Sequence, residues 1–137
     1  MIGLIVSGSV LLLLDQWSKK TVRLFAPDRA VCYAHFVRIR RVNHASPIYR
    51  NQNARMALAI IWVFAAASAM ILRDSGLWFH GRVSLIGLGL ALGGAAGNLL
   101  DIWRHRSIVD FIDFGWWPAF NFADVGIVTG LLLAFWH

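Results

Sequence analysis

The chain has no glutamate. All seven of its acidic residues are aspartates, set against thirteen Lys and Arg for a formal net charge of +6 over 137 residues. A single cysteine, Cys32, excludes an intrachain disulfide and leaves no thiolate cluster for a metal. The five histidines (His35, His44, His80, His105 and His137) are scattered without ligand spacing, so a metal site is not expected. No Gly-rich phosphate loop, internal repeat or low-complexity tract occurs. At this length the chain holds one domain at most.

What is abundant is apolar surface. The hydrophobic fraction is 58% and the mean hydropathy +0.61, too apolar for a soluble domain of this size. The reading is a single integral-membrane domain over residues 1–137, an all-α membrane protein with four transmembrane helices. The helices are expected at about 2–19, 56–72, 83–100 and 120–136, each near the ~20 residues that cross a ~30 Å hydrocarbon core. Met1–Leu14 lacks a basic n-region and a small-residue cleavage site, so it reads as the first span and not as a removable signal peptide. Seven Trp, mostly near the ends of apolar runs, suit an interfacial belt. The high basic content points to anionic lipid head groups as partners and away from nucleic acid.

One long polar segment, 20–55, separates the first two spans. Within it, Ala30–Arg41 is rich in Val and aromatics in rough alternation, which predicts a small β segment at about 30–50 lying on the membrane surface. Asn43-His44-Ala45-Ser46-Pro47 reads as its turn, with a returning strand expected before Arg55. In the third run Gly89, Gly93 and Gly97 recur every four residues, and Gly126 and Gly130 repeat the spacing in the fourth. Such glycines let helices approach closely.

The acids are concentrated. Gly93–Asp124 contains Asp101, Asp110, Asp113 and Asp124. Asn98 and Asp101 stand three apart where one apolar run ends, and Asn121 and Asp124 stand three apart where the next begins. Four spans place these helix ends, the Asp15 end of the first helix and segment 20–55 on one membrane side. A buried ionised carboxylate costs several kcal/mol unless paired, hydrogen-bonded or protonated, so acids there mark a functional site. Two carboxylates within a few ångströms share a proton, which allows one to activate water while the other protonates a leaving amine. Asp124, four residues into an apolar helix, and Asp110, flanked by Val109 and Phe111, are the candidate pair. Asn98 and Asn121 are candidate hydrogen-bonding supports. Several blander roles stay open. Asp15 and Lys19, four apart, fit an intrahelical pair at a solvated helix end. Asp101 can pair with Arg104 and Asp110 with Arg106. Asn121 can be a helix N-cap, and Asp113 a solvated loop acid. A proton relay in a transporter is the least favoured alternative, since no broken or repeated helix is present.

Four blocks carry a family likeness. Asp15-Gln16-Trp17-Ser18-Lys19 resembles D-Q-x-[ST]-K. Gly93–Asp101 resembles G-G-A-x-G-N-L-x-D. Ile108–Asp113 resembles V-V-D-F-I-D, and Phe120–Asp124 resembles F-N-x-A-D. In this order and spacing the chain is similar to lipoprotein signal peptidase (signal peptidase II), an intramembrane aspartic protease family of bacteria. The resemblance implies a four-helix fold with a β-cradle and a catalytic pair at Asp110 and Asp124. It implies supporting roles for Asn98, Asp101, Asn121, Asp15 and Lys19, with Asn43 in the cradle loop contacting substrate. The implied reaction removes the signal peptide from a prolipoprotein by cutting before a diacylglyceryl-modified cysteine, without cofactor. The enzyme would be a monomer in the bacterial inner membrane, with its site near the outer face. Two positions depart from the pattern. Asn43 is followed by His44-Ala45-Ser46-Pro47 where the family has a G-x-A-F type sequence, and Ile102 stands where it has Arg. They motivate an alternative, a non-catalytic homologue that binds lipidated peptides. Charge also disagrees, because eleven of the thirteen Lys and Arg fall on the acid-bearing side. The positive-inside rule turns that side towards the cytoplasm, whereas the resemblance turns it outward, and the resemblance is preferred.

Overall fold

The computed structural model describes residues 1–25, 31–34, 37–76, 78–79 and 81–136. His35, His80, His137 and the first residue of the expected β segment, Ala30, lie outside them. In chain order the elements are α1 (Ile2–Phe25), β1 (Val31–Ala34), β2 (Val37–His44), α2 (Pro47–Arg50), α3 (Gln52–Asp74), α4 (Arg82–His105), β3 (Ile108–Asp113) and α5 (Phe122–Ala134). The chain is mostly helical with one small sheet.

α4 is the central helix, and its glycines make it so. Towards α1, a Cβ on Gly93 would stand 2.4 Å from the Gly8 carbonyl oxygen, and one on Gly97 would stand 2.7 Å from Asp15 Oδ2. Towards α5, a Cβ on Gly94 would stand 2.5 Å from the Ala123 carbonyl oxygen. Small residues on two faces of one helix thus admit two neighbours at backbone contact. Hydroxyls tie the far ends: Ser84 donates to Ala134 O at 2.6 Å and Ser7 to Ile86 O at 3.0 Å.

The apolar surface is turned outward. α3 and α4 are long and apolar enough to cross a membrane, and only 6% of the apolar window of α3 is buried. Exposed Ile61, Phe64 and Ile71 on α3, Leu13 on α1, and Val128 and Leu132 on α5 extend this apolar surface around the bundle. A soluble monomer does not leave so much contiguous apolar surface bare.

Helix bounds differ from the hydropathy reading for identifiable reasons. α1 continues past 19 to Phe25 because its inward stripe, Asp15, Ser18, Lys19 and Val22, keeps the helical period while changing from apolar to polar. α4 likewise passes 100 to His105, carrying buried Asp101 and Ile102. α3 starts earlier, at Gln52, where the Asn51 side chain accepts from Asn53 N at 2.9 Å. α5 starts later than 120, because Asn121 caps it and Phe120 instead bridges to Ile112. At 1.5 Å per residue α5 is only about 20 Å long.

The sheet is three-stranded and antiparallel, in the order β1-β2-β3. β1 and β2 fall within the expected β segment, but no strand returns before Arg55. Pro47, lacking an N–H, opens the single-turn α2, and Ser46 caps it by accepting from Ile48 N at 3.3 Å. The third strand comes instead from Ile108–Asp113, with Val42 opposite Asp110 and His44 opposite Ile108. Val109, Asp110, Phe111 and Asp113 are all buried, so the polar–apolar alternation that signals a strand is missing there.

Candidate functional site

The acids meet where the C-terminal part of α1, the last turns of α4, β3 and the start of α5 come together. The base of the site is a charge cluster. Asp15, Lys19 and Asp101 are all 0% exposed. Lys19 Nζ donates to Asp15 Oδ2 at 2.7 Å and to Asn98 Oδ1 at 2.8 Å, and lies 2.8 Å from Asp101 Oδ2. Arg23 Nη2 donates to Asp101 Oδ1 at 3.0 Å. Two cations thus face two carboxylates, which is the condition for burying them. The Asp15–Lys19 pair is therefore interior and not a solvated helix end. Asp101 pairs with Lys19 and Arg23 of α1, not with Arg104. Arg23 brings a guanidinium to Asp101 although Ile102 follows that acid in sequence.

This base holds the top. Asp15 Oδ1 accepts from Ala123 N at 3.0 Å, so an acid of α1 satisfies a free N–H in the first turn of α5. Asn121 Oδ1 accepts from Asp124 N at 3.0 Å while Asp124 Oδ2 accepts from Asn121 N at 3.1 Å, a reciprocal capping box. Asn98 Nδ2 donates to Asp124 Oδ1 at 2.8 Å. Asn121 Nδ2 lies 2.6 Å from Asp110 Oδ1, 3.2 Å from Asn98 Oδ1 and 3.4 Å from Val109 O. Asn121 is thus both the N-cap and the group that ties Asp110 to the rest. One polar network runs from Asp15 through Lys19, Asn98 and Asn121 to Asp110 and Asp124.

The two candidate acids differ in surroundings. Asp110 is buried. Burial pushes its carboxyl above the usual range; the His44 hydrogen bond opposes this, the Asp124 charge adds to it, and the Asn121 hydrogen bond again opposes. Asp124 is half-buried and lines an apolar pocket of about 300 Å³ with Trp117, Phe120, Val125, Val128 and Thr129. A half-buried carboxyl beside an apolar slot has the surroundings that acid–base work on a peptide with apolar flanking groups needs.

Asn43, predicted for the site, and Asp113, expected as a solvated loop acid, both stand elsewhere. Asp113 is 7% exposed, pairs with Arg40 Nη2 at 3.0 Å and accepts from Gly115 N at 2.7 Å, so it is a structural acid and not a solvated one. Asn43, in β2 opposite Val109, lines a separate basic cavity with Arg41 and Arg23. Asp110 is bonded to Asn121 and to His44, and Arg106 is not a partner in either contact.

Two contacts were not foreseen from the sequence. His44 Nδ1 hydrogen-bonds Asp110 Oδ2. Gln16 Nε2 donates to Gly97 O at 3.2 Å and lies 3.4 Å from both Asp15 Oδ2 and Asp101 Oδ1. For His44 the available signal was its place beside Asn43 in a strand; for Gln16 it was its place inside the D-Q-x-[ST]-K block. Among the described residues no three His, Cys, Asp or Glu are grouped to hold a metal ion.

Comparison with known proteins gives concordant results. Residues 8–137 match the family model described as Signal peptidase (SPase) II. A lipoprotein signal peptidase of Nitratidesulfovibrio vulgaris is 43% identical over 54% of this chain and 50% of its own length. One of Pelotomaculum thermopropionicum is 58% identical over 36% of this chain and 33% of its own. One of Mycobacterium leprae is 35% identical over 63% and 48%. The chain therefore spans about half or less of the length of these relatives. Two solved structures described as bacterial membrane enzymes share the fold. Their TM-scores are 0.78 and 0.75 over 95% of this chain and 88% and 83% of theirs, at 19% identity.

Proposed function

The chain belongs to the signal peptidase II family, and on that premise we propose that Asp110 and Asp124 are the catalytic pair of an intramembrane aspartic endopeptidase. Its substrate is a prolipoprotein carrying a diacylglyceryl cysteine, cut immediately before that cysteine. The observation that carries the reading is the junction itself. Asn121 binds Asp110 through its side chain and Asp124 through its backbone, and Asp124 opens on the apolar pocket.

The chemistry follows from the two environments. Buried Asp110, raised above the ordinary carboxylate range, is the member that holds the shared proton. Asp124 as carboxylate takes a proton from water, whose oxygen attacks the scissile carbonyl. The resulting tetrahedral intermediate collapses as the C–N bond breaks, with the proton passing to the leaving amine. Asn98 and Asn121 hold both acids in position, while Asp15, Lys19 and Asp101 brace the helix ends. The apolar pocket receives the apolar part of the substrate. The assembly is a monomer whose four helices, α1, α3, α4 and α5, lie in the bacterial inner membrane with the pair near the outer face. Asn43 contacts substrate from the cradle.

Asp110→Asn and Asp124→Asn are each expected to lower cleavage of a diacylglyceryl-modified precursor in detergent by about 10²-fold or more. Unchanged cleavage in either variant removes the assignment. Wild-type protein that retains the lipopeptide and yields no product on long incubation would establish the alternative, a non-catalytic binding homologue.

A further inference from the structure

A larger cavity, about 620 Å³, has a different character from the pocket at Asp124. Arg23, Arg41, Arg50 and Arg106 line it with Asn43 and Ser107, and no carboxylate lines it among the described residues. The four arginines come from α1, β2, α2 and the end of α4, so the tertiary fold assembles the cluster and no local run of sequence does. Arg41 and Asn43 are alternate residues of β2 that face the cavity, and the next residue, His44, reaches Asp110. The cavity therefore lies beside the acid pair, shares Arg23 and Asn43 with that site's surroundings, and takes its remaining lining from other side chains.

Four guanidiniums around one cavity repel one another. Arg23 is balanced by Asp101 at 3.0 Å, whereas Arg50 and Arg106 have no ion pair among the described residues. Arg106 holds a left-handed conformation, φ 55° and ψ 25°, at the C-cap of α4. Glycine or asparagine is the usual occupant there, because a longer side chain costs of order 1 kcal/mol or more. Basic residues at helix C-termini complement the helix dipole. That accounts for the positions of Arg23, Arg50 and Arg106, and Arg41, from a strand, reaches the end of α1 by donating to Arg23 O at 3.3 Å. The cavity is at the level of the helix ends, where Arg55 stacks over Trp103 at 5.3 Å in an arrangement suited to a membrane interface. Planar, many-donor guanidiniums match phosphate and carboxylate oxygens in bidentate pairs, and phosphate is the anion that lipid head groups carry at the membrane surface.

We propose that this cavity binds a phosphate group, carried either by the head group of an anionic phospholipid or as free phosphate. Arg50 and Arg106 take the phosphate oxygens, and Arg23 and Arg41 complete the shell.

The test uses the full chain in a neutral detergent, with thermal unfolding as the readout. Inorganic phosphate, short-chain phosphatidylglycerol and short-chain phosphatidylcholine are titrated separately. Saturable stabilisation by phosphatidylglycerol and not by phosphate identifies a lipid head-group site. Saturable stabilisation by phosphate alone identifies a free-ion site. In either case Arg50→Gln/Arg106→Gln is expected to bind roughly ten-fold or more weakly, since two charge-assisted donors are lost. Arg50→Lys/Arg106→Lys is expected to fall between, which separates binding from misfolding. Asp124→Asn is expected to bind like the wild type, so the result is independent of peptide cleavage. Equal stabilisation by both lipids, or responses that the arginine variants leave unchanged, would overturn the proposal.

Discussion

Lys19 places three partners around one ammonium: Asp15 and Asn98 accept its hydrogen bonds and Asp101 pairs with it. Removing that ammonium leaves Asp15 without its cation in a fully buried site. Lys19→Met is therefore expected to cost about 3–5 kcal/mol, read as a fall in thermal stability in detergent. An Asp15→Asn/Lys19→Met variant, which removes the stranded charge with its partner while Asp101 keeps Arg23, is expected to recover part of the loss. No recovery would mean that packing, and not charge, holds this junction. His44 acts at a single atom of Asp110. Its hydrogen bond opposes the rise that burial imposes on Asp110, so His44→Phe is expected to raise that carboxyl further. If Asp110 holds the shared proton, the alkaline limb of the kcat/KM profile then moves to higher pH, because the proton is lost later. A limb that stays in place would sink the link between His44 and the acid pair. That the acids converge was legible in the sequence, since acids among apolar residues need a reason. The His44 contact was not, because only the pairing of β2 with β3 brings residue 44 to residue 110.

Between residue and fold, the start of α5 serves two purposes that one substitution series separates. Asn121 caps the helix through its side-chain oxygen and holds Asp110 through its side-chain nitrogen. Serine keeps an oxygen able to accept from Asp124 N but has no amide to offer Asp110. Asn121→Ala loses both functions. The alanine variant is expected to be about 1 kcal/mol less stable than the serine variant, the usual worth of an N-cap. Both are expected to lose precursor cleavage to the same extent. Cleavage retained by Asn121→Ser would show that the amide is not needed. Elements were legible where one period or one hydropathy class persisted, as in the middle of α3 and α4. They were missed where burial was two-sided or the buried stripe turned polar. β3 hides its strand character because successive residues are buried. The end of α1 beyond Lys19 hides its helix because Lys20, Thr21 and Arg23 interrupt the apolar run and only Val22 stays on the buried face. At such positions tertiary neighbours, not solvent, decide what each side chain meets, and a single-sequence pattern does not contain them.

For the molecule as a whole, the open conflict is between charge placement and proposed orientation, and the structure changes how the charges are counted. The positive-inside rule concerns basic residues free in short loops. Lys19 and Arg23 are instead committed to Asp15 and Asp101, Arg40 to Asp113, and Arg55 to the face of Trp103. Arg50 and Arg106 line the basic cavity. Much of the excess is thus fixed within a folded surface unit, where it reports tertiary structure more than topology. The outward orientation predicts a specific labelling pattern. With Cys32 replaced by Ser, a cysteine is introduced either at Trp116, 79% exposed beyond β3, or at Ser75, exposed at the turn after α3. A membrane-impermeant maleimide added to intact cells is expected to label Trp116→Cys, and to label Ser75→Cys only after permeabilisation. The reverse pattern would turn the acid pair towards the cytoplasm while leaving its geometry intact. Labelling of both from outside would show that α4 does not separate the two sides, and the four-span arrangement would fall with it.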